Sequence, residues 1–265
     1  MTKIFLLSDV HINYSANFKF LTQIEQHDND YLILAGDISN SLQETNKCLQ
    51  LLSKKFKGVF FTPGNHDLWV ESDIKDSIEK LHKLLKVCND IGIHTKPEFV
   101  DGIWIVPLFS WYDSTLASDD FLSKKDMEDM KGWSDFTLCK WPEKYTPSQL
   151  FDLNTDFINS FYTSDFEPII SFSHFVPRRE LLPPQIFLKY KFLPFVVGSI
   201  TLEQQVRSLG STVHCYGHTH INQERVIDGV RYVQNALGYP REREYYGSDP
   251  KLVQVWPIFE SQCQI

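Results

Sequence analysis

Tyr31-Leu32-Ile33-Leu34-Ala35-Gly36-Asp37 is an apolar run too short for a helix, stopped by a glycine and followed at once by a carboxylate. A run of this kind reads as a buried strand. The pattern recurs four more times. Ile4-Phe5-Leu6-Leu7 runs into Ser8-Asp9-Val10-His11, and Val59-Phe60-Phe61-Thr62-Pro63 into Gly64-Asn65-His66-Asp67. Ile169-Ile170-Ser171-Phe172 ends at Ser173-His174, and Val213-His214-Cys215-Tyr216 at Gly217-His218-Thr219-His220. Five apolar strands therefore bring Asp, His and Asn side chains to one edge of a sheet, the carboxyl edge where open α/β sheets bind ligands. Asp37 stands at the centre, because a carboxylate has two oxygens and can bridge two cations.

Outward from these strands the chain first alternates. Helices are expected near 17–27 (Phe18, Leu21, Ile24), 41–56 (Leu42, Leu49, Leu52, Phe56) and 73–90 (Ile74, Ile78, Leu81, Leu85, Cys88). Three βα units in a row argue for a parallel sheet with right-handed crossovers. Then the pattern changes. Phe99-Val100-Asp101-Gly102-Ile103-Trp104 is a hairpin signal, its Asp-Gly suited to a two-residue turn. Residues 110–146 have no period yet carry Trp111, Tyr112, Phe121, Trp133, Phe136, Trp141 and Tyr145. A segment this long and irregular is usually functional or mobile, and it reads as a lid or cap, or else as an aromatic-anchored surface excursion. Thr146-Pro147-Ser148-Gln149 opens a helix expected to run to about 162. Residues 176–198 are irregular again, Thr201 and Gln204 cap a helix to Gly210, and a second Asp-Gly hairpin spans 225–231 before a last strand at 251–257. Two hairpins flanking a parallel core suggest a second, mixed sheet. The whole reads as one domain over 1–265 with the 110–146 segment inserted.

Composition narrows the partners. A chain of 265 residues, 42% hydrophobic and 14% aromatic, can bury a sizeable core. A net charge of −8 opposes a phosphate-tracking surface, so long nucleic acid is a disfavoured partner. The first strand begins at Lys3, which leaves no room for a leader peptide, and no apolar run reaches membrane-spanning length. The five cysteines are odd in number and lack metal-type spacing; Cys48, Cys88 and Cys215 fall on apolar faces and read as buried thiols. These readings predict a cytoplasmic protein.

The chemistry lies in how the strand ends combine. Asp9, His11, Asp37, Asn65, His174, His218 and His220 are candidate metal ligands. Carboxylate, imidazole and amide oxygen together suit borderline to hard divalent ions such as Mn, Fe or Zn. Seven ligands are too many for one tetrahedral ion and fill two sites if one carboxylate bridges. Residues two apart on a strand share a face, so the Asp9/His11 and His218/His220 pairs can each converge on metal. With 12 Gly and 9 His in 265 residues, chance supplies roughly 0.01 copies of Gly-His-x-His, which makes the motif informative. His27, His82, His94 and His214 match no pattern and read as ordinary residues.

Asp9-x-His11, Gly36-Asp37, Gly64-Asn65-His66-Asp67, His174 and Gly217-His218-x-His220 together resemble the motif set of the calcineurin-like metallophosphoesterase superfamily, in that family's order. The resemblance implies a four-layer α/β/β/α sandwich of two mixed sheets. It implies two divalent ions per chain, one on Asp9, His11, Asp37 and His220, the other on Asp37, Asn65, His174 and His218. It implies that His66 is the catalytic histidine beside the leaving group. Relatives often carry an Asp or His three residues after the bridging aspartate to support that histidine. Here the position is Asn40, so support for His66 is expected from Asp67 or from elsewhere in the chain.

Two cations about 3.5–4 Å apart polarise phosphoryl oxygens and lower the pKa of a bridging water towards 7. The expected reaction is attack on phosphorus by the resulting hydroxide, with His66 supplying a proton or a positive neighbour to the leaving oxygen. The expected substrate is a small phosphodiester or phosphomonoester. A nuclease is the alternative within enzymes, and a silent metal-binding scaffold the alternative outside them. Arg178 and Arg179 follow His174 closely and are candidates for gripping phosphate, unless they pair with surface carboxylates. Arg241 and Arg243 are a rival basic pair.

Overall fold

Alternate residues of a strand face opposite ways, and in this chain both faces of the central strands are apolar, so each needs a partner layer on both sides. The computed structural model describes residues 2–117, 121–160 and 167–257. Among these residues the strands are β1 (Ile4–Leu7), β2 (His27–Ala35), β3 (Phe56–Thr62), β4 (Glu98–Val100), β5 (Ile103–Pro107), β6 (Ile169–Phe172), β7 (Val213–Tyr216), β8 (Gln223–Ile227), β9 (Val230–Gln234) and β10 (Val253–Trp256). The α-helices are α1 (Ser15–Gln23), α2 (Leu42–Ser53), α3 (Ser77–Asp90), α4 (Lys124–Lys131), α5 (Asp135–Leu138), α6 (Asp152–Ser160), α7 (Ile200–Ser208) and α8 (Pro240–Tyr246).

One sheet has the order β10-β1-β2-β3, with β10 antiparallel at its edge. The other has the order β4-β5-β6-β7-β9-β8, parallel in the middle and antiparallel at both edges. Ile4, Leu6, Ile33, Ala35 and Phe60 of the first sheet meet Ile105, Ile170, Phe172, Val213 and Cys215 of the second. The intervening residues Leu7, Leu32, Leu34, Val59 and Phe61 face outward onto Leu21 of α1, Leu49 and Leu52 of α2, and Leu84 of α3. Beyond the second sheet, Val106, Ile169 and Tyr232 pack under Leu202 and Val206 of α7. The result is the helix/sheet/sheet/helix sandwich. Each fully buried Leu or Ile in it contributes about 1.5–3 kcal/mol relative to exposure.

Several boundaries differ from the sequence reading. The first helix stops at Gln23 rather than 27, because His27 already belongs to β2. The third begins at Ser77 rather than 73, where the Asp76 side chain accepts from the Ile78 and Glu79 amides. Its buried face runs through Ser77, Lys80, Leu81, Leu84 and Cys88, leaving Ile78 and Leu85 at the side. Lys80 turns inward because its ammonium donates to the carbonyls of Asn40 and Trp69. Ser199, not Thr201, caps α7. The helix expected from 146 starts as a 3₁₀ turn, Pro147–Phe151, and its end near 162 lies outside the described residues. The 110–146 segment is not structureless: α4 forms there with no buried residue, held by a Ser123/Asp126 capping box. A helix without an apolar stripe leaves no period to read. Cys48, Cys88, Cys139 and Cys215 are buried free thiols.

Candidate metal centre

The site is built where β1, β2, β3, β6 and β7 end; these five ends, expected on one sheet edge, come from two sheets, β1–β3 from one and β6 and β7 from the other. Five of the seven candidate ligands have left-handed backbone, with φ of 50° at Asp9, 42° at His11, 58° at Asp37, 72° at His218 and 55° at His220. For a residue with a Cβ this conformation costs roughly 1–2 kcal/mol, and such strain collects at functional sites. Hydrogen bonds hold it in place. The β1–β2 ladder continues past the strand ends, with the amides of Asp9 and His11 donating to the carbonyls of Gly36 (2.9 Å) and Asp37 (3.0 Å). The His218 amide donates to Asp9 Oδ1 at 3.0 Å. Gly36 itself takes φ +81°, whereas Gly64 is needed for room: a Cβ there would lie 2.1 Å from Asp37 Oδ1.

Hydrogen bonds on the far sides of the ligands decide which atoms face inward. His174 Nδ1 donates to the Ala35 carbonyl (2.9 Å), which leaves its Nε2 lone pair pointing into the site. His218 Nε2 donates to the Val196 carbonyl (3.1 Å), which leaves Nδ1. The Asn65 amide nitrogen donates to Asp135 Oδ1 (2.8 Å), which leaves Oδ1. These three acceptors confront one another, with Asn65 Oδ1 3.0 Å from both imidazole nitrogens and the nitrogens 3.2 Å apart. Asp37 Oδ2 lies 3.5 Å from His174 Nε2. Buried acceptors with no donor between them are unsatisfied, and a cation among them removes the conflict. A second set faces Asp9: His220 Nδ1 donates to Glu242 Oε2 at 2.6 Å. Its Nε2 lies 3.2 Å from His11 Nε2 and 3.3 Å from Asp9 Oδ1. The ligand atoms of Asp9, His11 and His220 cluster, as do those of Asp37, His174 and His218, and a third group of His11, Asp37 and His66 lies between. The donor set fits divalent cations that accept both oxygen and nitrogen.

Electrostatics agrees with geometry. Burial, then Asp67 and Asp9, push the Asp37 carboxyl well above the ordinary range. Buried carboxylates that repel one another call for positive charge between them. Burial lowers His174 to about 3 and His11 well below its usual value, so both imidazoles are neutral and free to ligate. His220 is the exception: burial works the same way, but Asp9 and Glu242 outweigh it and raise that imidazole to about 10, so its Nε2 holds a proton towards Asp9 that a cation at this position would displace.

His66 lies beside this centre with 18% of its side chain exposed. Its amide donates to Asp37 Oδ1 (2.9 Å), and its ring stacks on Trp69 with centroids 3.6 Å apart. Burial and then His174, His218 and His220 hold its imidazole down to about 3. At pH 7 the imidazole is therefore neutral in the absence of a ligand. Asp67 has a different task from the one expected. Its Oδ2 accepts from the amides of Asp37 (2.7 Å) and Gly64 (2.9 Å), and its Oδ1 from those of Ile38 (3.0 Å) and Ser39 (3.2 Å). It pins the strained loop that carries Asp37. Asn40 is exposed and offers its carbonyl to Lys80.

Both arginines expected to grip phosphate have protein partners. Arg178 is drawn into an ion-pair cluster with Glu180 (2.6 Å), Asp228 (2.7 Å) and Glu203 (3.2 Å). Arg179 donates to the Pro183 carbonyl. Of the rival pair, Arg243 braces the carbonyls of Leu237 and Gly238 and the Asn17 side chain. Sequence reading missed Asp135, Trp69, Glu242 and Tyr239, whose ring lies 4.7 Å from that of His11 and 4.8 Å from that of His220. Only Glu242 had a local signal, since Pro240 and Glu242 mark the first and third positions of a helix.

A family model described as calcineurin-like phosphoesterase matches residues 2–222. Among curated proteins, the acyl-carrier-protein phosphodiesterase PptH of Mycobacterium tuberculosis is 25% identical over 269 residues, spanning 89% of this chain and 78% of that protein. The uncharacterized protein L509 of Acanthamoeba polyphaga mimivirus is 26% identical over 267 residues, spanning 91% and 92%. Among solved structures, the phosphopantetheinyl hydrolase PptH from Mycobacterium tuberculosis matches with a TM-score of 0.80 at 25% identity, over 97% of this chain and 96% of that one.

Proposed function

The chain belongs to the calcineurin-like phosphoesterase family, and on that premise we propose that it is a two-metal phosphodiesterase acting on a small organic phosphodiester. That it is a metal-dependent hydrolase of phosphoester bonds follows from the family and from the likeness to PptH. The finer reading rests above all on the inward-facing acceptors of Asn65, His174 and His218, set beside a second set at Asp9, His11 and His220. One cation would sit on Asp9, His11, Asp37 and His220, the other on Asp37, Asn65, His174 and His218, with Asp37 shared. Such ions supply Lewis acidity towards phosphoryl oxygens and acidify water.

The chain's own residues supply the rest. Asp67 keeps Asp37 in its strained position. His66, neutral and stacked on Trp69, offers an N–H to the oxygen that leaves phosphorus. Trp133, whose ring lies 6.1 Å from that of His218, and Tyr239, beside His11, wall the two sides and suit an organic group. Arg178 is committed to carboxylates, so the phosphate's charge falls to the cations. A diester, with one negative charge instead of two, suits that arrangement. The likeness to PptH adds a substrate class, phosphopantetheine joined through phosphate to a carrier protein.

The test is a chain reloaded with Mn²⁺, Fe²⁺ or Zn²⁺ and offered para-nitrophenyl phosphate, its bis-nitrophenyl diester and phosphopantetheinyl acyl carrier protein. Expected are two ions per chain, preference for the diester, and release of phosphopantetheine seen by mass. Saturation at one ion, or preference for the monoester, removes the reading.

A further inference from the structure

Asp135 opens α5 in the middle of the 110–146 segment, and only 3% of it is exposed. Its Oδ1 accepts from Asn65 Nδ2 (2.8 Å) and from Trp69 Nε1 (2.6 Å), and its Oδ2 from Trp133 Nε1 (2.9 Å). These donors are neutral N–H groups. Each donor also belongs to the site. Asn65 presents its other amide atom to His174 and His218, Trp69 carries the His66 ring, and Trp133 faces His218.

We propose that Asp135 is a positioning residue that couples the 110–146 segment to the catalytic centre. It holds Asn65 with its oxygen turned towards a cation and Trp69 flat against His66. The carboxylate withdraws the amide N–H and polarises the carbonyl oxygen on the other side, which makes Asn65 a stronger ligand. The neighbouring backbone is secured without Asp135, since the Val70 amide donates to the Leu138 carbonyl (2.8 Å) and the Ser77 amide to the Lys140 carbonyl (2.7 Å). The segment therefore stays docked when the carboxylate is removed.

The inference rests on the two-ion reading, and equilibrium dialysis against Mn²⁺ separates the two. Asp135→Ala is expected to weaken one of two ions on the order of 10–100-fold and leave the other within about threefold. Asp135→Asn, of equal volume, keeps one acceptor oxygen and weakens the same ion less. In an Asn65→Ala background, removal of Asp135 adds little to the loss, because the two act through one bond. Near-ultraviolet circular dichroism reports the rearranged Trp69 and Trp133 independently of turnover. If either folded variant holds both ions as the wild type does, or if both ions weaken equally, the proposal is overturned. A wild-type chain that takes only one ion fails the two-ion reading itself, with no substitution involved.

Discussion

Replacing His66 by alanine separates two ways in which a histidine helps a leaving group. An imidazolium gives up a proton, while a neutral imidazole donates a hydrogen bond. With its imidazole held to about 3 by burial and by His174, His218 and His220, the charged fraction at pH 7 is only about 10⁻⁴. Cations bound beside the ring push in the same direction. His66→Ala is expected to cost on the order of 10²–10⁴ in turnover of an alkyl phosphodiester, or about 2.7–5.4 kcal/mol of barrier. A nitrophenyl diester, whose leaving group departs unaided, should lose much less. Metal content should not change, because the contact that orders Asp37 here is the residue's backbone amide, 2.9 Å from Oδ1. The informative quantity is the wild-type to variant ratio of kcat/KM between pH 5.5 and 8.5, in which protonation of the ligands cancels. A neutral donor gives a flat ratio. An imidazolium of ordinary pKa near 6.5 makes it fall about tenfold per unit above that value, and that slope would refute the reasoning.

Arg178→Ala should leave kinetics on every ester unchanged and lower unfolding stability by about 1 kcal/mol or less, as expected for a largely surface ion-pair cluster; a raised KM would return Arg178 to the substrate. His214 is fully buried between Ser171 (2.8 Å) and Ser173 (3.0 Å), and burial lowers it to about 3. A folded-state pKa below the unfolded value of about 6.5 means that the unfolded chain takes up the proton first. Its contribution is therefore complete above pH 6.5 and is lost as pH falls towards 3, about 2 kcal/mol being gone by pH 5. Urea unfolding of His214→Gln should show a correspondingly shallower acid loss than the wild type, and parallel pH profiles would contradict the assignment.

The sequence by itself determined the strands and the seven candidate ligands at their ends, because each is a local event. A short apolar run, a turn and a polar residue within four positions are enough to mark a strand end, but that these ends belong to two sheets packed face to face was decided only by the tertiary structure. Two Asp-Gly turns announced the hairpins that edge the second sheet. The tertiary structure decided what lies behind the ligands. Asp67 reads as a partner of the adjacent His66, yet its oxygens are claimed by amides about thirty positions earlier. Lys80 is absent from the apolar stripe of its helix, yet carbonyls of the Asn40 and Trp69 loops draw it inward. Asp135 meets Asn65 across 70 residues, from a segment whose polar helix leaves no periodic trace. Hydrophobic periodicity records only which face of an element is buried. The orientation of a polar side chain depends on donors and acceptors that folding brings from elsewhere, so those roles exist only once the chain has closed around them.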